Sequence, residues 1–184
     1  VKRFAAAGVL LGDSKTFMLC GGSNEMNNPA IYHKSCDKLI VTNNKFSVVP
    51  SGEMSVPRSF AAAVLYKNKM VVLGGIVVDG INPRIVVNTA EQYDPATNKF
   101  TSFKSFQTPR TVFGASVLNG QIYISGGLDT NFNEIKSVER FNGNQWSFVA
   151  PLSQTRGYHT MVTFKGKLYV MGGEIGRASC RERV

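Results

Sequence analysis

The sequence is poor in the residues that build metal centres and disulfide frameworks. Its 184 residues include only two histidines, three cysteines and one tryptophan. The histidines, His33 and His159, lie far apart in unlike local sequence, so the spacing of a metal-binding motif is missing. Three cysteines in a chain of this length fall short of the density of a disulfide-rich scaffold. We therefore expect neither a resident metal nor another cofactor.

Long apolar runs and clusters of like charge are also missing. No apolar stretch approaches the roughly 20 residues that a membrane-spanning helix needs. The chain has 21 basic and 12 acidic residues, a net charge of +9, but no basic run of the kind that marks a nucleic-acid-binding arm. We therefore expect neither a membrane nor a nucleic acid as partner. Five lysines fall at predicted turns, where they are either solvated or form a weakly basic face for an acidic partner. They are Lys15, Lys67, Lys69, Lys165 and Lys167.

The sequence does contain a repeat. Four apolar segments, FMLCGG, MVVLGG, IYISGG and LYVMGG, each end in a pair of glycines, and the pairs lie 53, 52 and 46 residues apart. An arginine precedes each pair, by 18 residues in the first unit and by 16 in the other three. A period near 50 residues indicates one structural unit used repeatedly rather than a set of independent domains. The four arginines are Arg3, Arg58, Arg110 and Arg156.

Within each unit, apolar and polar residues alternate with a period of two, which predicts strands. In the third unit, residues 113–118 predict a strand, Asn119-Gly120 suits a two-residue type I′ turn, and residues 121–125 predict the returning strand. The first unit differs in a turn that is two residues longer. Two more strands follow a variable loop, and one apolar residue marks each of them. In the third strand the markers are Val41, Tyr93 and Phe141, and in the fourth they are Phe46, Phe100 and Trp146. We expect the markers Tyr93, Phe100, Phe141 and Trp146 in the core between neighbouring sheets.

These elements resemble the kelch repeat, the blade of a β-propeller, over residues 1–174. The second unit is the most similar, with MVVLGG, then AEQYDPATNKF, then TPR, whereas the first unit departs at Val41 and Phe46. The resemblance implies an all-β propeller of four-stranded antiparallel blades, with three full blades and two strands of a fourth. Because propellers usually close with about 4–8 blades, we expect a fragment of a longer propeller. The approximate repeats are 3–57, 58–109, 110–155 and 156–174.

The last ten residues, IGRASCRERV at 175–184, break the pattern. They are similar to a translated sequencing adaptor, so we expect a non-native tail, and the alternative is a short natural basic tail. The tail holds three arginines and one glutamate, so the rest of the chain has 18 basic and 11 acidic residues, a net charge of +7. Without Cys180 only Cys20 and Cys36 remain. Two unpaired thiols would fit a reducing compartment, and we expect a cytoplasmic protein.

The resemblance implies a protein-interaction module that is not an enzyme. The repeats look most like those of the Kelch-like adaptors, in which BTB and BACK regions join the propeller to a cullin-RING ubiquitin ligase and the propeller selects the substrate. An actin-binding cytoskeletal kelch protein is the alternative. A propeller enzyme, similar to a copper oxidase or a sialidase, is a further one, but no ligand spacing or paired carboxylates support it.

The binding site is expected on the face that carries the variable loops, because loops on a rigid sheet scaffold commonly carry binding residues. In kelch adaptors, positions at or just beyond the repeated arginine help to bind acidic peptides, and guanidinium groups suit carboxylates. The alternative is that an arginine present in every blade is structural and bonds carbonyl groups between blades. The predicted partner-binding residues are Arg3, Arg58, Ser59, Arg110, Arg156, Tyr158 and His159.

Overall fold

A computed structural model describes residues 3–24, 31–43, 45–78, 84–174 and 181–183, and the elements in these ranges are β-strands. Four antiparallel sheets, here called blades one to four, follow one another along the chain. Blade one contains β1 (Ala7–Leu10), β2 (Thr16–Cys20), β3 (Cys36–Thr42) and β4 (Lys45–Pro50). Blade two contains β6 (Ala62–Tyr66), β7 (Lys69–Leu73), β10 (Ala90–Asp94) and β11 (Lys99–Phe103). Blade three contains β12 (Gly114–Leu118), β13 (Gln121–Ser125), β14 (Val138–Phe141) and β15 (Trp146–Val149).

Blade four differs from the prediction by one strand. Besides β16 (Thr160–Phe164) and β17 (Lys167–Met171), it contains β18 (Arg181–Arg183), which pairs antiparallel with β17. The sequence pattern predicted only two strands here, and the third comes from the tail, because the outer edge of β17 offers backbone groups to pair with. Residues 175–180 and 184, where the rest of the proposed non-native tail lies, are outside the described residues.

The hairpins within the blades confirm the predicted turns. Asn119 and Gly120 have φ angles of 50° and 70°, as a type I′ turn requires, and Lys67 and Asn68 have 47° and 63°. In blade one the loop is two residues longer, because Leu10 pairs with Phe17 and four further residues lie between Leu11 and Thr16. The longer loop accounts for the spacing between the arginine and its glycine pair, which is 18 residues in the first unit and 16 in the other three.

The core lies between the blades. In β7, Met70 and Val72 face blade one, and Val71 and Leu73 face blade three. All four side chains are fully buried because both faces of this sheet are covered, which explains the continuous apolar run MVVL. Of the predicted core aromatic residues, Tyr93, Phe141 and Trp146 are buried and Phe100 is partly buried, and each packs on the preceding blade.

In blade one, the assignment of Val41 and Phe46 to the positions of Phe141 and Trp146 is wrong. In blade one Leu39 pairs with Phe17, as Phe141 pairs with Ile122 in blade three. Val48 then pairs with Leu39, as Trp146 pairs with Phe141. Leu39 and Val48 therefore hold the positions of Phe141 and Trp146. Val41 and Phe46 form a pair nearer the hairpin and are 50% and 73% exposed. The cause is a longer β3–β4 hairpin in blade one. When a strand is extended by two residues, the side chains keep the same alternation between the two faces, so the apolar pattern does not reveal the extension.

The two cysteines of blade one also differ from the prediction. Cys20 and Cys36 are paired directly across β2 and β3, and they form a disulfide bond. Both are buried against Met18, Met54 and Met70. The expectation of two unpaired thiols is therefore wrong, and the argument from cysteines for a reducing compartment no longer holds.

Beyond each glycine pair lies a second, smaller pairing, here called the rim sheet. In blade two it consists of β5 (Arg58–Ser59), β8 (Ile76–Val77) and β9 (Ile85–Val86). In the other blades it is reduced to bridges, such as those of Leu128 with Thr111 and with Glu134. The turn from β7 into this sheet requires glycine, because Gly74 has a φ of 57° and a Cβ there would lie 2.7 Å from the carbonyl oxygen of Arg110.

Candidate partner-binding site

The repeated arginines lie inside the blades rather than on their surface. Arg110 is fully buried, and its guanidinium group donates to the carbonyl oxygens of Gly126 at 2.9 Å and Ser137 at 3.0 Å. It also forms a 2.8 Å ion pair with Glu139, whose side chain is equally buried. These contacts join the segment that enters blade three to the end of its second strand and the start of its third. Arginine suits this role because its planar group presents several donors in fixed directions.

The other arginines donate to a carbonyl oxygen of their own glycine pair, and Arg3 and Arg58 also pair with a carboxylate. Burial lowers the pKa of Arg58 and Arg110 while the paired glutamate opposes that shift, and both stay charged at neutral pH. The structural alternative therefore fits them better than contact with a partner. Arg58 contacts Gly74 at 2.9 Å, Thr89 at 3.1 Å and Glu91 at 2.9 Å; Arg3 contacts Gly21 at 2.9 Å, Ser35 at 3.1 Å and Asp37 at 2.9 Å; Arg156 contacts Gly172 at 2.7 Å.

The acidic partners of these arginines were missed in the sequence. The carboxylate of Glu139 also accepts hydrogen bonds from the backbone N–H groups of Gln107 and Thr108, at 2.7 and 3.0 Å. Glu91 accepts one from Ser55 at 2.7 Å. Each glutamate therefore holds both its arginine and the segment that enters the blade. The signal was a glutamate two residues before the aromatic residue of the third strand.

Two further predicted binding residues, Ser59 and His159, are also buried. Ser59 is fully buried in the rim sheet of blade two, where it pairs with Ile76. The Nε2 atom of His159 lies 3.0 Å from the hydroxyl of Ser125 and accepts a hydrogen bond from the backbone N–H of Gly114 at 3.2 Å. Desolvation is the main reason that the pKa of His159 falls from 6.5 to about 4, and the charge of Arg156 adds to it. This imidazole is therefore a neutral core group at physiological pH.

The depressed pKa of His159 predicts a loss of stability in acid. The unfolded chain binds a proton at this residue below pH 6.5, whereas the folded chain resists it down to about pH 4. The neutral imidazole therefore makes its full contribution to the free energy of unfolding above pH 6.5. As the pH falls towards 4, the free energy of unfolding declines by about 3 kcal/mol at most. We expect His159→Gln to remove this part of the pH dependence, measured by urea unfolding between pH 4 and 7.

His33 provides the comparison for this experiment. It is less buried than His159, and its pKa is also lowered, mainly by desolvation. The substitution His33→Gln should therefore change the slope of stability against pH less than His159→Gln does. Equal slopes in wild type and His159→Gln would contradict the neutral, buried assignment.

Tyr158, the remaining predicted residue, is 55% exposed and lies at a position that recurs in every blade. It is the second residue after the arginine, and we call this the ring position: Ala5, Phe60, Val112 and Tyr158. All four residues have left-handed backbone, with φ between 49° and 56°. For a β-branched residue such as Val112 this conformation costs on the order of 1–3 kcal/mol, and such strain is concentrated at functional sites.

A chain of backbone hydrogen bonds fixes the ring position. The N–H of Phe60 donates to the carbonyl oxygen of Ala5 at 2.9 Å, that of Val112 to Phe60 at 3.1 Å, and that of Tyr158 to Val112 at 2.8 Å. Each bond joins one blade to the next. The left-handed backbone is therefore maintained by contacts between blades, which also fixes the start of the side chain at each ring position.

The ring position and the rim sheet enclose a cavity of about 220 Å³. Three ring side chains line it, together with the residue that follows the glycine pair in blades one to three and with residues of the loops that leave the rim sheet. Of the predicted partner-binding residues, only Tyr158 lines this cavity. Six of the other lining residues had a signal in their fixed offset from the arginine or from the glycine pair, whereas Tyr32, Arg84 and Phe132 lie in loops of variable length and had none. The lining residues are Ser23, Tyr32, Phe60, Ile76, Arg84, Thr111, Val112, Leu128, Phe132 and Tyr158.

The cavity wall is largely apolar, and one cation lies at its edge. Thr111 is buried, and its hydroxyl already donates to the carbonyl oxygen of Phe60 at 3.2 Å. The ring of Phe60 also packs edge-on against Phe4, with centroids 6.1 Å apart. Arg84 is exposed and is the one charged side chain among the described lining residues. The arrangement can therefore bind an apolar group and attract an anion beside it.

The chain repeats a four-stranded antiparallel blade, and backbone hydrogen bonds join each blade to the next. This arrangement defines a β-propeller chain. Sequence comparison gives the family. The Kelch motif model matches residues 57–107, 109–153 and 155–183, so the chain belongs to the kelch-repeat family, whose propellers mediate protein interactions and are in general not enzymes.

Similar proteins include Kelch-like proteins and a scruin. The chain is 30% identical to Kelch-like protein 25 of Xenopus tropicalis over 156 residues, which is 84% of this chain and 25% of that protein. It is 28% identical to Kelch-like protein 26 of Mus musculus over 123 residues, 66% of this chain and 20% of that protein. Beta-scruin of Limulus polyphemus is 29% identical over 119 residues, 56% of this chain and 13% of that protein. The chain thus spans a quarter or less of these relatives.

The described residues also bear on metal sites and membrane-spanning helices. Within those ranges, no group of three or more histidine, cysteine, aspartate or glutamate side chains is placed to hold a metal ion. The same ranges contain no helix long and apolar enough to span a membrane.

Proposed function

We propose that this chain is part of the substrate-recognition propeller of an adaptor for a cullin-RING ubiquitin ligase. The cavity at the rim carries this proposal, because exposed aromatic side chains from separate blades converge there on a rigid backbone. The similarity to Kelch-like proteins over as much as 84% of the chain supports it. A cytoplasmic location is part of the proposal and follows from the adaptor role alone, since the Cys20–Cys36 disulfide does not support it.

The test uses the full-length protein and removes the exposed aromatic side chains of the cavity. Tyr158 and Phe132 are 55% and 51% exposed, so Tyr158→Ala with Phe132→Ala should leave the fold intact. We expect the double variant to lose at least about tenfold in affinity for its protein partner, since aromatic anchors commonly dominate interfaces. Affinity capture followed by titration with the captured partner measures this loss.

Phe148 gives a matched control, because it is 54% exposed and lies on β15, outside the cavity. Phe148→Ala should bind as the wild type does. A cullin and its RING subunit should co-purify with the wild-type protein, and depletion of the protein should raise the abundance of the captured partner. Capture that is unchanged in the double variant, or the absence of ligase subunits, would contradict the proposal.

Actin binding is the second candidate, and the lysines at the turns favour it. Lys15, Lys67, Lys165 and Lys167 are exposed at the hairpin ends, whereas Lys69 pairs with Asp94 at 2.7 Å. Such lysines suit an acidic filament surface. If filaments sediment with the protein, and Lys67→Glu with Lys165→Glu abolishes this while Tyr158→Ala does not, the cytoskeletal function is supported instead of the adaptor function.

A further inference from the structure

We infer that the rim cavity receives one large apolar side chain from a linear segment of a partner protein, with a carboxylate of the same segment against Arg84. This inference rests on the proposed function and specifies the chemistry of the ligand. It replaces the expectation of an acidic motif held by a ring of arginines, because those guanidinium groups are buried in contacts within their own blades.

The size of the cavity sets the size of the inserted group. A closed apolar cavity of about 150 Å³ accepts a benzene molecule, and this one measures about 220 Å³. It is smaller than the roughly 300–1,000 Å³ of pockets that enclose whole drug-sized ligands. One aromatic or branched aliphatic side chain therefore fits, and a helix does not.

The wall of the cavity favours an apolar group over a charged one. Ile76 is buried at its base, and Val112, Leu128 and Phe132 supply further apolar surface. A carboxylate placed against this apolar surface would lose its hydration there, at a cost of several kcal/mol or more. An apolar side chain gains free energy in proportion to the area it buries.

The backbone at the ring position limits how the segment can bind. The N–H groups of Phe60, Val112 and Tyr158 all donate to the neighbouring blade. They therefore cannot donate to an added β-strand, which favours recognition through side chains at this position. Specificity then depends on which side chain enters the cavity and on what lies beside it.

Charge complementarity identifies the neighbouring group. Arg84 is exposed at the edge of the cavity, and the described lining residues include no carboxylate. The chain as a whole carries a net charge of +9. A guanidinium group binds a carboxylate through two parallel hydrogen bonds, so an aspartate or glutamate close to the apolar anchor completes the motif.

The experiment selects peptides from a displayed library of random linear 12-residue sequences on the full-length wild-type protein. We expect enrichment of sequences with Leu, Phe, Tyr or Trp within a few residues of Asp or Glu. The strongest peptide is then measured by fluorescence anisotropy. Replacing its apolar anchor with alanine should weaken binding at least tenfold, and replacing its acid should weaken binding severalfold.

Variants of the protein assign these effects to the cavity. Tyr158→Ala should weaken the peptide at least tenfold, and Arg84→Gln should weaken it severalfold and reduce the salt dependence of binding. Phe148→Ala and Lys165→Gln are the matched controls, since both residues are exposed and neither lines the cavity. Both controls should bind the peptide as the wild type does.

The outcomes separate this inference from the proposed function. Enriched peptides that are acidic but lack an apolar anchor, a selection that enriches no motif, or an anchor that tolerates alanine would each overturn the inference. If partner capture still depends on Tyr158 in those cases, the proposed function stands without it. If the peptides bind as expected and no ligase subunit co-purifies, the inference stands and the adaptor function fails.

Discussion

The substitution Arg110→Met is expected to lower the free energy of unfolding by about 3–5 kcal/mol, the range for breaking one partner of a buried ion pair. The loss is large because Glu139 remains fully buried with a charge that its arginine no longer balances. The carbonyl groups of Gly126 and Ser137 lose their donors as well. Urea unfolding followed by the fluorescence of Trp146, which is buried in the adjoining core, measures the effect.

An exposed ion pair gives the control for Arg110. Lys34 and Glu53 lie 3.1 Å apart with both side chains about half exposed, so Lys34→Met should cost no more than about 1 kcal/mol. The same experiment decides between the two interpretations of the arginines. A stable Arg110→Met variant that fails to bind its partner would support a binding role and contradict the structural one.

The substitution Gly74→Ala is expected to destabilise the propeller by about 2–5 kcal/mol. Left-handed backbone at φ 57° costs alanine about 1–2 kcal/mol. The added Cβ would also lie 2.7 Å from the carbonyl oxygen of Arg110 and 2.9 Å from the ring of Phe106. Moving the backbone of the next blade adds about 1–3 kcal/mol, as overpacking does in protein cores.

Gly120 separates the two contributions. Its φ of 70° is also left-handed, but a Cβ there would meet nothing within 4 Å. Gly120→Ala should therefore show the backbone cost alone, and the difference between the two variants, read from their urea midpoints, gives the cost of the close approach. Equal destabilisation by the two substitutions would show that the blades can separate enough to admit a methyl group.

The repeat made most of the fold predictable from the sequence. The turns depend on local backbone geometry, which leaves a local signal. Asn119-Gly120 and Lys67-Asn68 were recognisable as turns for this reason. In blades two to four, the arginine and the glycine pair keep a fixed spacing because the same hydrogen bond joins them in each blade. The hairpin of blade one was misassigned because Val41 and Leu39 lie on the same face of β3, and a shift of two residues leaves the apolar pattern unchanged.

The candidate site was less predictable, because a sequence offset does not give the direction of a side chain. Arg110 and Val112 are two residues apart, yet one points into the blade and the other lines the cavity. The buried partner Glu139 follows a loop of variable length, so no fixed spacing from the arginine identified it. The Cys20–Cys36 disulfide was missed for a similar reason, since it depends on the register of β2 and β3.

The hydrogen bonds between ring positions use main-chain atoms alone. Any residue that accepts left-handed backbone can therefore replace Phe60, Val112 or Tyr158 while the spacing of the blades is kept. If these positions bind the partner as proposed, duplicated copies of such a gene can acquire new partners by changing these few codons. In evolutionary terms, partner choice can then change while the hydrogen bonds that set the spacing of the blades are kept.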